Sequence, residues 1–173
     1  MTYLLLTIAV FAFAAGVNTG SVAFQQRTRW LTRRFGRGAW WVHMALVIPG
    51  WALFIDLEVQ LGRHRVWPLP AVLWPLGLGL LVLAAVLFVT SSFQLGLRRT
   101  LNGYFFDSEP PEPVSGAVYR WLENPMYDSF WIAFVGLALI EANAAYLALA
   151  VASYLLLNRC EAKIENSPFV AAR

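Results

Sequence analysis

The stretch VWPLPAVLWPLGLGLLVLAAVLFVTSSFQLGL, residues 66–97, decides the fold. It contains 32 residues without a single charge, and a helix of about 20 apolar residues already crosses the hydrocarbon core of a bilayer. Two further uncharged stretches, residues 1–26 and 38–55, are 26 and 18 residues long. These three stretches predict three membrane-spanning helices.

The composition agrees with a membrane protein and excludes other classes. Hydrophobic residues make up 59% of the 173 residues and charged residues only 13%, about half of the charged fraction of a typical soluble protein. Aromatic residues make up 15%, which is too many for a disordered chain, and the single cysteine, Cys160, excludes an internal disulfide. The formal net charge of +3 comes mainly from arginines beside apolar segments. This charge indicates membrane topology rather than nucleic-acid binding.

The last apolar stretch, residues 129–158, is interrupted by Glu141-Ala142-Asn143. Charged and amide side chains are costly in the middle of a bilayer, so we interpret this stretch as two short helices joined by a tight turn. The sequence therefore predicts an all-α, polytopic membrane helix bundle that forms one domain. We expect about five transmembrane helices, at residues 3–25, 39–60, 69–96, 127–140 and 143–159, with a cytoplasmic linker over 98–124. The last two form a short C-terminal hairpin.

The distribution of arginines predicts the orientation. Five basic residues and no acid lie between the first two spans: Arg27, Arg29, Arg33, Arg34 and Arg37. The loop at residues 62–67 carries only Arg63 and Arg65. The first loop is therefore expected in the cytoplasm, together with the linker and the carboxyl terminus. A cleaved signal peptide is the competing interpretation of the first span, although no basic segment precedes it.

Polar residues collect at the cytoplasmic end of the third span. Gly96 and Gly103 would let a ligand approach the backbone closely, while Thr100, Asn102 and Tyr104 offer hydrogen bonds. Glycines also recur at helix ends as caps, so the spacing alone favours a structural explanation.

A second polar cluster, Glu123-Asn124-Pro125-Met126-Tyr127, stands immediately before the hairpin. Asn124 also suits a helix cap and Pro125 the first turn of a helix, so this cluster has a complete structural explanation as well.

The segment after the hairpin carries Glu161 and Glu165, four residues apart. On a continuous helix they share a face and can point back toward the cluster before the hairpin. Two carboxylates at this spacing repel each other unless something cationic lies between them. Arg159, Lys163 or water would serve as well as a bound cation.

Together these segments resemble the phosphatidylethanolamine N-methyltransferase family. This family belongs to a wider group of small membrane methyltransferases that includes the isoprenylcysteine carboxyl methyltransferases. The resemblance covers about residues 91–169 and lies in the glycine segment, in Asn124-Pro125-Met126-Tyr127, in the apolar hairpin and in the glutamate-bearing tail that ends at Pro168-Phe169.

Two details refine the resemblance. The family usually has adjacent glutamates before Pro-Phe, whereas here Glu165 is the clear match and Glu161 is a possible substitute one turn earlier. The isoprenylcysteine branch usually has Arg-His-Pro where this chain has Glu123-Asn124-Pro125, so the phospholipid branch is favoured.

The resemblance implies methyl transfer from S-adenosylmethionine to a membrane lipid, most simply phosphatidylethanolamine or a methylated derivative. Carboxylates can bind the ammonium group or ribose hydroxyls of the cofactor, and aromatic faces can contact its sulfonium. The implied cofactor-binding residues are Gly96, Thr100, Gly103, Tyr104, Asn124, Pro125, Met126, Tyr127, Glu161 and Glu165. Tyr127 and Glu165 are also the implied catalytic residues. An acceptor ammonium must lose a proton first, and either side chain, or a water between them, could take it.

Two other functions stay open. One is methylation of another lipophilic acceptor, such as an isoprenylcysteine carboxylate or a quinone-like compound, and the other is a non-catalytic membrane scaffold or subunit. We expect no metal site, because His43 lies in the second span and His64 in the opposite loop. An interhelical hydrogen bond explains His43 most simply, and Asn18 likewise. The expected partners are the bilayer and a lipid substrate, and no nucleic acid.

Overall fold

A computed structural model describes residues 2–64, 69–106 and 114–164 of the chain. These ranges are mainly helical, and none of their residues forms a strand. Three helical segments are long and apolar enough to cross a membrane, namely Thr2–Thr28, Trp30–Arg63 and Ala71–Leu95. Pro125–Ile140 is a shorter apolar helix. The structure confirms the predicted all-α membrane bundle.

The helices follow one another in a simple order. Helix α1 covers Thr2–Thr28, α2 Trp30–Phe35, α3 Ala39–Arg63 and α4 Trp74–Leu95. After the short helix α5, Leu97–Thr100, two single 3₁₀ turns follow at Gly103–Phe106 and Ala117–Arg120. Helices α6, Pro125–Ile140, and α7, Ala145–Ser153, form the C-terminal hairpin.

The long helices pack in two pairs, α1 with α3 and α4 with α6. The second pair crosses at two glycines. A Cβ atom on Gly77 would lie 2.7 Å from the carbonyl oxygen of Gly136, and one on Gly136 would lie 2.9 Å from that of Gly77. Small residues at such crossings let helix backbones in a membrane approach closely. The two glycines therefore set the distance between α4 and the hairpin.

Three phenylalanines join the two pairs. Phe11 of α1 lies between Phe54 of α3 and Phe134 of α6, with ring centroids 4.9 Å and 6.3 Å away. Phe54 and Phe134 are themselves 6.1 Å apart and nearly perpendicular. Edge-to-face rings of this kind add to the stabilisation that apolar packing provides.

The turn of the hairpin is fixed by Asn143, which is completely buried. Its Oδ1 accepts a hydrogen bond from the backbone N–H of Ala145 at 3.0 Å. Its Nδ2 donates to the carbonyl oxygens of Leu61 and His64, at 3.1 and 3.2 Å. The predicted hairpin is thus confirmed, and its turn is tied to the end of α3 that lies away from the arginine segment.

The chain continues from α7 into a segment with a different backbone hydrogen-bonding pattern. Residues Tyr154–Glu161 form a π-helix, a rare conformation that is frequent at functional sites. Leu157 and Glu161 in this segment are both almost completely buried. The widened segment thus carries a carboxylate into the interior of the bundle.

Candidate functional site

A cavity of about 500 Å³ lies between α1, α3, α4, α6 and the π-helical segment. This volume is in the usual range for small-molecule sites. One end of the cavity is polar and is lined by Asn18, His43, Thr100, Asn102, Tyr127 and Glu161. The remainder is apolar and follows α3, where it is lined by Met44, Val47, Ile48, Trp51, Ala52 and Ile55.

Hydrogen bonds connect four residues of the polar end, namely Asn18, His43, Asn102 and Glu161. The side-chain amide of Asn18 donates to Oε1 of Glu161, and Nδ2 of Asn102 donates to Oδ1 of Asn18 at 3.3 Å. The hydroxyl of Ser21 donates to the backbone carbonyl of Asn18 at 2.8 Å and lies 2.9 Å from Nδ1 of His43. One network thereby links α1, α3, the loop after α5 and the last helix.

Glu161 is the charged group of this network, and only 2% of its surface is exposed. A buried carboxylate is costly unless hydrogen bonds or a counter-charge compensate for its lost hydration. Asn18 supplies one such hydrogen bond. In a site of low dielectric constant the same carboxylate attracts a cation or a hydroxyl group much more strongly than it would in water.

The turn after α5 places Asn102 in the network. Asn102 has a φ angle of +58°, a left-handed conformation that asparagine tolerates better than most residues. The next residue must be small, because a Cβ atom on Gly103 would lie 2.7 Å from the carbonyl oxygen of Arg98. The sequence Asn102-Gly103 therefore suits this tight turn and directs an amide toward Asn18.

The structure brings together four of the ten predicted cofactor-binding residues. Thr100, Met126, Tyr127 and Glu161 all line the cavity, although they come from three separate elements, namely α5, α6 and the π-helix. Tyr127 is 7% exposed. The tail and the cluster before the hairpin therefore meet at one site.

Other predicted site residues lie outside the lining of this cavity, which does not include Gly96, Gly103, Tyr104, Asn124 or Pro125. Gly96 is exposed, and its φ of +75° ends α4. Tyr104 packs on the ring of Phe105, with the guanidinium of Arg99 5.5 Å from its centroid.

The cluster before the hairpin is partly structural. Asn124 takes the N-cap position of α6 without a side-chain capping hydrogen bond, and Pro125 is in the first turn. The remaining predicted residue, Glu165, lies outside the residues that the structure describes.

Sequence reasoning assigned Asn18 and His43 to interhelical contacts and missed their place in the cavity. Both make such contacts, since Asn18 reaches Glu161 and His43 reaches Ser21, and both also line the site. A signal was present in the sequence. Polar residues inside membrane spans are rare and often functional, and both lie at the arginine-rich ends of their spans.

Comparison with known families agrees with this geometry. A profile described as phospholipid methyltransferase matches residues 73–171, more than half of the chain. The chain belongs to this family. The phospholipid methyltransferase match begins just before α4 and includes Thr100, Tyr127 and Glu161. Asn18 and His43, on α1 and α3, lie outside the matched region.

Two curated proteins are similar to part of the chain. Phosphatidyl-N-methylethanolamine N-methyltransferase of Saccharomyces cerevisiae is 32% identical over 81 residues, which are 47% of this chain and 39% of that protein. The protein of the same name from Schizosaccharomyces pombe is 34% identical over 87 residues, 50% of this chain and 43% of that protein. The chain thus spans about two fifths of the length of these relatives. No solved structure matches it significantly. The family comparison confirms the resemblance found in the sequence.

Proposed function

We propose that this protein is an S-adenosylmethionine-dependent methyltransferase that methylates the amine head group of a membrane phospholipid. The acceptor in this proposal is phosphatidylethanolamine or a partly methylated derivative, and the names of the relatives refer to one such derivative, phosphatidyl-N-methylethanolamine. The observation that carries the proposal is a single cavity with a buried carboxylate at one end and an apolar remainder. A cationic, polar methyl donor and a lipid acceptor need these two environments side by side.

The polar end suits the methyl donor. The carboxylate of Glu161 can bind an ammonium group or ribose hydroxyls, and Thr100 and Asn102 place further hydrogen-bonding groups on the same wall. The ring of Tyr127 offers an aromatic face to a positive group. When bound, S-adenosylmethionine would supply an electrophilic methyl group on a sulfonium.

The other residues of the site would orient the reactants and exclude water. Methyl transfer requires the acceptor nitrogen, the methyl carbon and the sulfur to lie in line, so positioning provides much of the rate. Met126, Phe130 and Leu157 give the site an apolar wall, which keeps competing water away. Tyr127 remains our candidate for contact with the reacting groups, and so does Glu165.

The loop residues around the cavity keep supporting roles in the proposal. Gly103 shapes the turn that carries Asn102, and Pro125 begins the helix that carries Tyr127. Gly96, Tyr104 and Asn124 remain proposed cofactor-binding residues on the same loops.

The apolar part of the cavity suits a lipid. From His43 to Ile55 it follows α3 for about 18 Å. Ile48, Ile55 and Phe88 line it and are nevertheless 54%, 58% and 40% exposed. The cavity is therefore open on the outer surface of the bundle, between α3 and α4. A phospholipid could enter sideways from the bilayer and leave its acyl chains in this opening.

The polar end would face the cytoplasm. The indole N–H of Trp40 donates to the carbonyl of Leu101 at 3.0 Å, and a guanidinium N–H of Arg29 donates to that of Phe105 at 3.4 Å. These bonds tie the arginine segment to the loop that forms the polar end. The positive-inside rule therefore supports a cytoplasmic position for this end.

A labelling experiment tests the function. Purified protein is incubated with methyl-labelled S-adenosylmethionine and a total lipid extract, and the labelled lipids are separated. We expect label in N-methylated derivatives of phosphatidylethanolamine. Label in another lipid would contradict the proposed acceptor. Failure to bind the cofactor would contradict the proposal that the protein is an enzyme and would favour a non-catalytic scaffold.

A further inference from the structure

The hydrogen bonds of His43 determine which of its ring nitrogens carries a proton. Nδ1 of His43 lies 2.9 Å from the hydroxyl oxygen of Ser21. That hydroxyl has one hydrogen, which it donates to the backbone carbonyl of Asn18. Ser21 must therefore accept a hydrogen bond from Nδ1–H of His43. In the neutral ring this leaves Nε2 with a lone pair and no proton.

Nε2 of His43 is buried and has no hydrogen-bond partner among the described residues. The side chain as a whole is 1% exposed and lines the polar end of the cavity. Buried polar atoms in native structures are nearly always hydrogen-bonded, so each exception requires an explanation. A donor group on a bound molecule would provide the missing partner.

We propose that Nε2 of His43 takes the proton that the acceptor amine must lose before methylation. The inference rests on the proposed function. The ammonium of the lipid head group gives its proton to Nε2, which becomes part of an imidazolium. The freed lone pair of the nitrogen forms a bond to the methyl carbon while the carbon–sulfur bond of the sulfonium donor breaks. The donor leaves as a neutral thioether, and the imidazolium later returns its proton to water.

The surroundings of His43 support this role. The other titratable groups among the lining residues are Tyr127 and Glu161. A phenol already carries its proton at neutral pH, and Oε1 of Glu161 accepts a hydrogen bond from Asn18. Nε2 of His43 offers a basic lone pair to which no group among the described residues donates. From α1 the ring meets the neutral Ser21, and Phe106 lies 5.2 Å from its centroid. Glu161 is thus the charge available at this cavity to balance an imidazolium.

The substitution His43→Gln tests the proposal, with His64→Gln as the matched control. His64 is the other histidine of the chain and is exposed at the opposite end of α3. At pH 7 the His43 variant should turn over about 100-fold more slowly or worse, the usual contribution of a general base. Its dissociation constant for S-adenosylhomocysteine should stay within about twofold of the wild-type value. The control should match the wild type in both respects.

The dependence of the rate on pH separates a base from a merely structural residue. The acceptor amine loses its proton by itself near pH 10, as the lysine ammonium does. The rate of the His43→Gln variant should therefore rise about tenfold per pH unit between pH 7 and 9.5, and the gap to the wild type should close. The proposal would be overturned if the rate of His43→Gln were below the wild-type rate by the same factor at every pH and the variant also bound S-adenosylhomocysteine more weakly. Unchanged turnover at pH 7 would overturn it too.

Nitrogen NMR of histidine-labelled protein provides a readout that is independent of activity. In the wild type the His43 ring should be neutral with its proton on Nδ1, and Ser21→Ala should shift the population toward the other tautomer. A proton on Nε2 in the wild type would overturn the proposal. Label found only in a carboxylate ester would overturn it together with the proposed function, because that acceptor has no ammonium proton. If the protein methylates phospholipid and His43→Gln turns over at the wild-type rate, this inference is wrong and the proposed function still stands.

Discussion

At the level of single residues, Asn18 holds the polar end of the cavity together. It donates to Glu161 and accepts from Asn102, which lie 143 and 84 positions away in the chain. An amide can do both at once because it carries a donor and an acceptor. An apolar side chain of similar size, such as leucine, could make neither bond.

The substitution Asn18→Leu should therefore weaken the site and the fold together. It leaves a buried carboxylate without this hydrogen bond, which costs about 1–3 kcal/mol of stability. We expect S-adenosylhomocysteine to bind at least tenfold more weakly and the unfolding temperature to fall. Calorimetry and thermal unfolding measure the two effects. Thr19→Val, at the neighbouring position, is the control, and an equal effect of both substitutions would contradict the role of Asn18.

Some of these residues were predictable from the sequence and others were not. Tyr127 and Glu161 belong to motifs with a recognisable order along the chain, so their proximity could be predicted from the resemblance. Asn18 and His43 are isolated polar residues in apolar helices, and no spacing rule indicates which face of the helix points into a cavity. Their positions depend on how α1 and α3 rotate against the rest of the bundle.

At the level of helices, the crossing of α4 and α6 depends on Gly77. Its Cβ position is blocked by the carbonyl oxygen of Gly136 and by side chains of Leu139 and Ile140, all within 2.9 Å. Backbone atoms cannot move aside as a flexible side chain can. Any larger residue at this position must therefore push the two helices apart.

We expect Gly77→Val to destabilise the protein by about 1–3 kcal/mol, the usual cost of overpacking. Gly79→Val is the matched control, because Gly79 lies on the same helix and has no atom within 4 Å of its Cβ position. Thermal unfolding in detergent should show a lower midpoint for the first variant only. Equal midpoints would mean that the helices are not in close contact at this crossing.

The sequence predicts helices better than it predicts their details. Long uncharged stretches indicate membrane helices because the thickness of the hydrocarbon core sets their length. Glu141 and Asn143 indicate a turn because a bilayer does not tolerate them at its centre. The π-helix at Tyr154–Glu161 has no comparable signal, since its residues suit an α-helix equally well. The segment packs against α6 and α1, and we infer that this packing sets its backbone hydrogen-bonding pattern.

At the level of the whole molecule, the two helix pairs leave an opening between α3 and α4. If lipid enters there, filling the opening should block the acceptor without disturbing the methyl donor. Ala52 is exposed and lines the apolar part of the cavity. Ala45 is also exposed on α3 and is not part of the lining. The two positions form a matched pair.

We predict that Ala52→Trp raises the KM for phosphatidylethanolamine at least tenfold and leaves the affinity for S-adenosylhomocysteine unchanged. Ala45→Trp should alter neither. Initial rates measured at several mole fractions of the lipid in mixed micelles give the KM values. A normal KM in the Ala52 variant would show that the lipid reaches the site by another route.

We propose that Glu161 and Tyr127 form one pocket for a methyl donor, and a direct binding measurement tests this pocket most simply. Titration calorimetry should compare wild-type protein with Glu161→Gln and with Glu141→Gln, whose glutamate is exposed in the hairpin turn. S-adenosylhomocysteine should bind the wild type and the Glu141 variant equally well. It should bind Glu161→Gln roughly ten- to a hundredfold more weakly, the loss of one charge-assisted hydrogen bond. Equal binding to all three proteins, or no binding to the wild type, would show that Glu161 does not hold a methyl donor in this pocket.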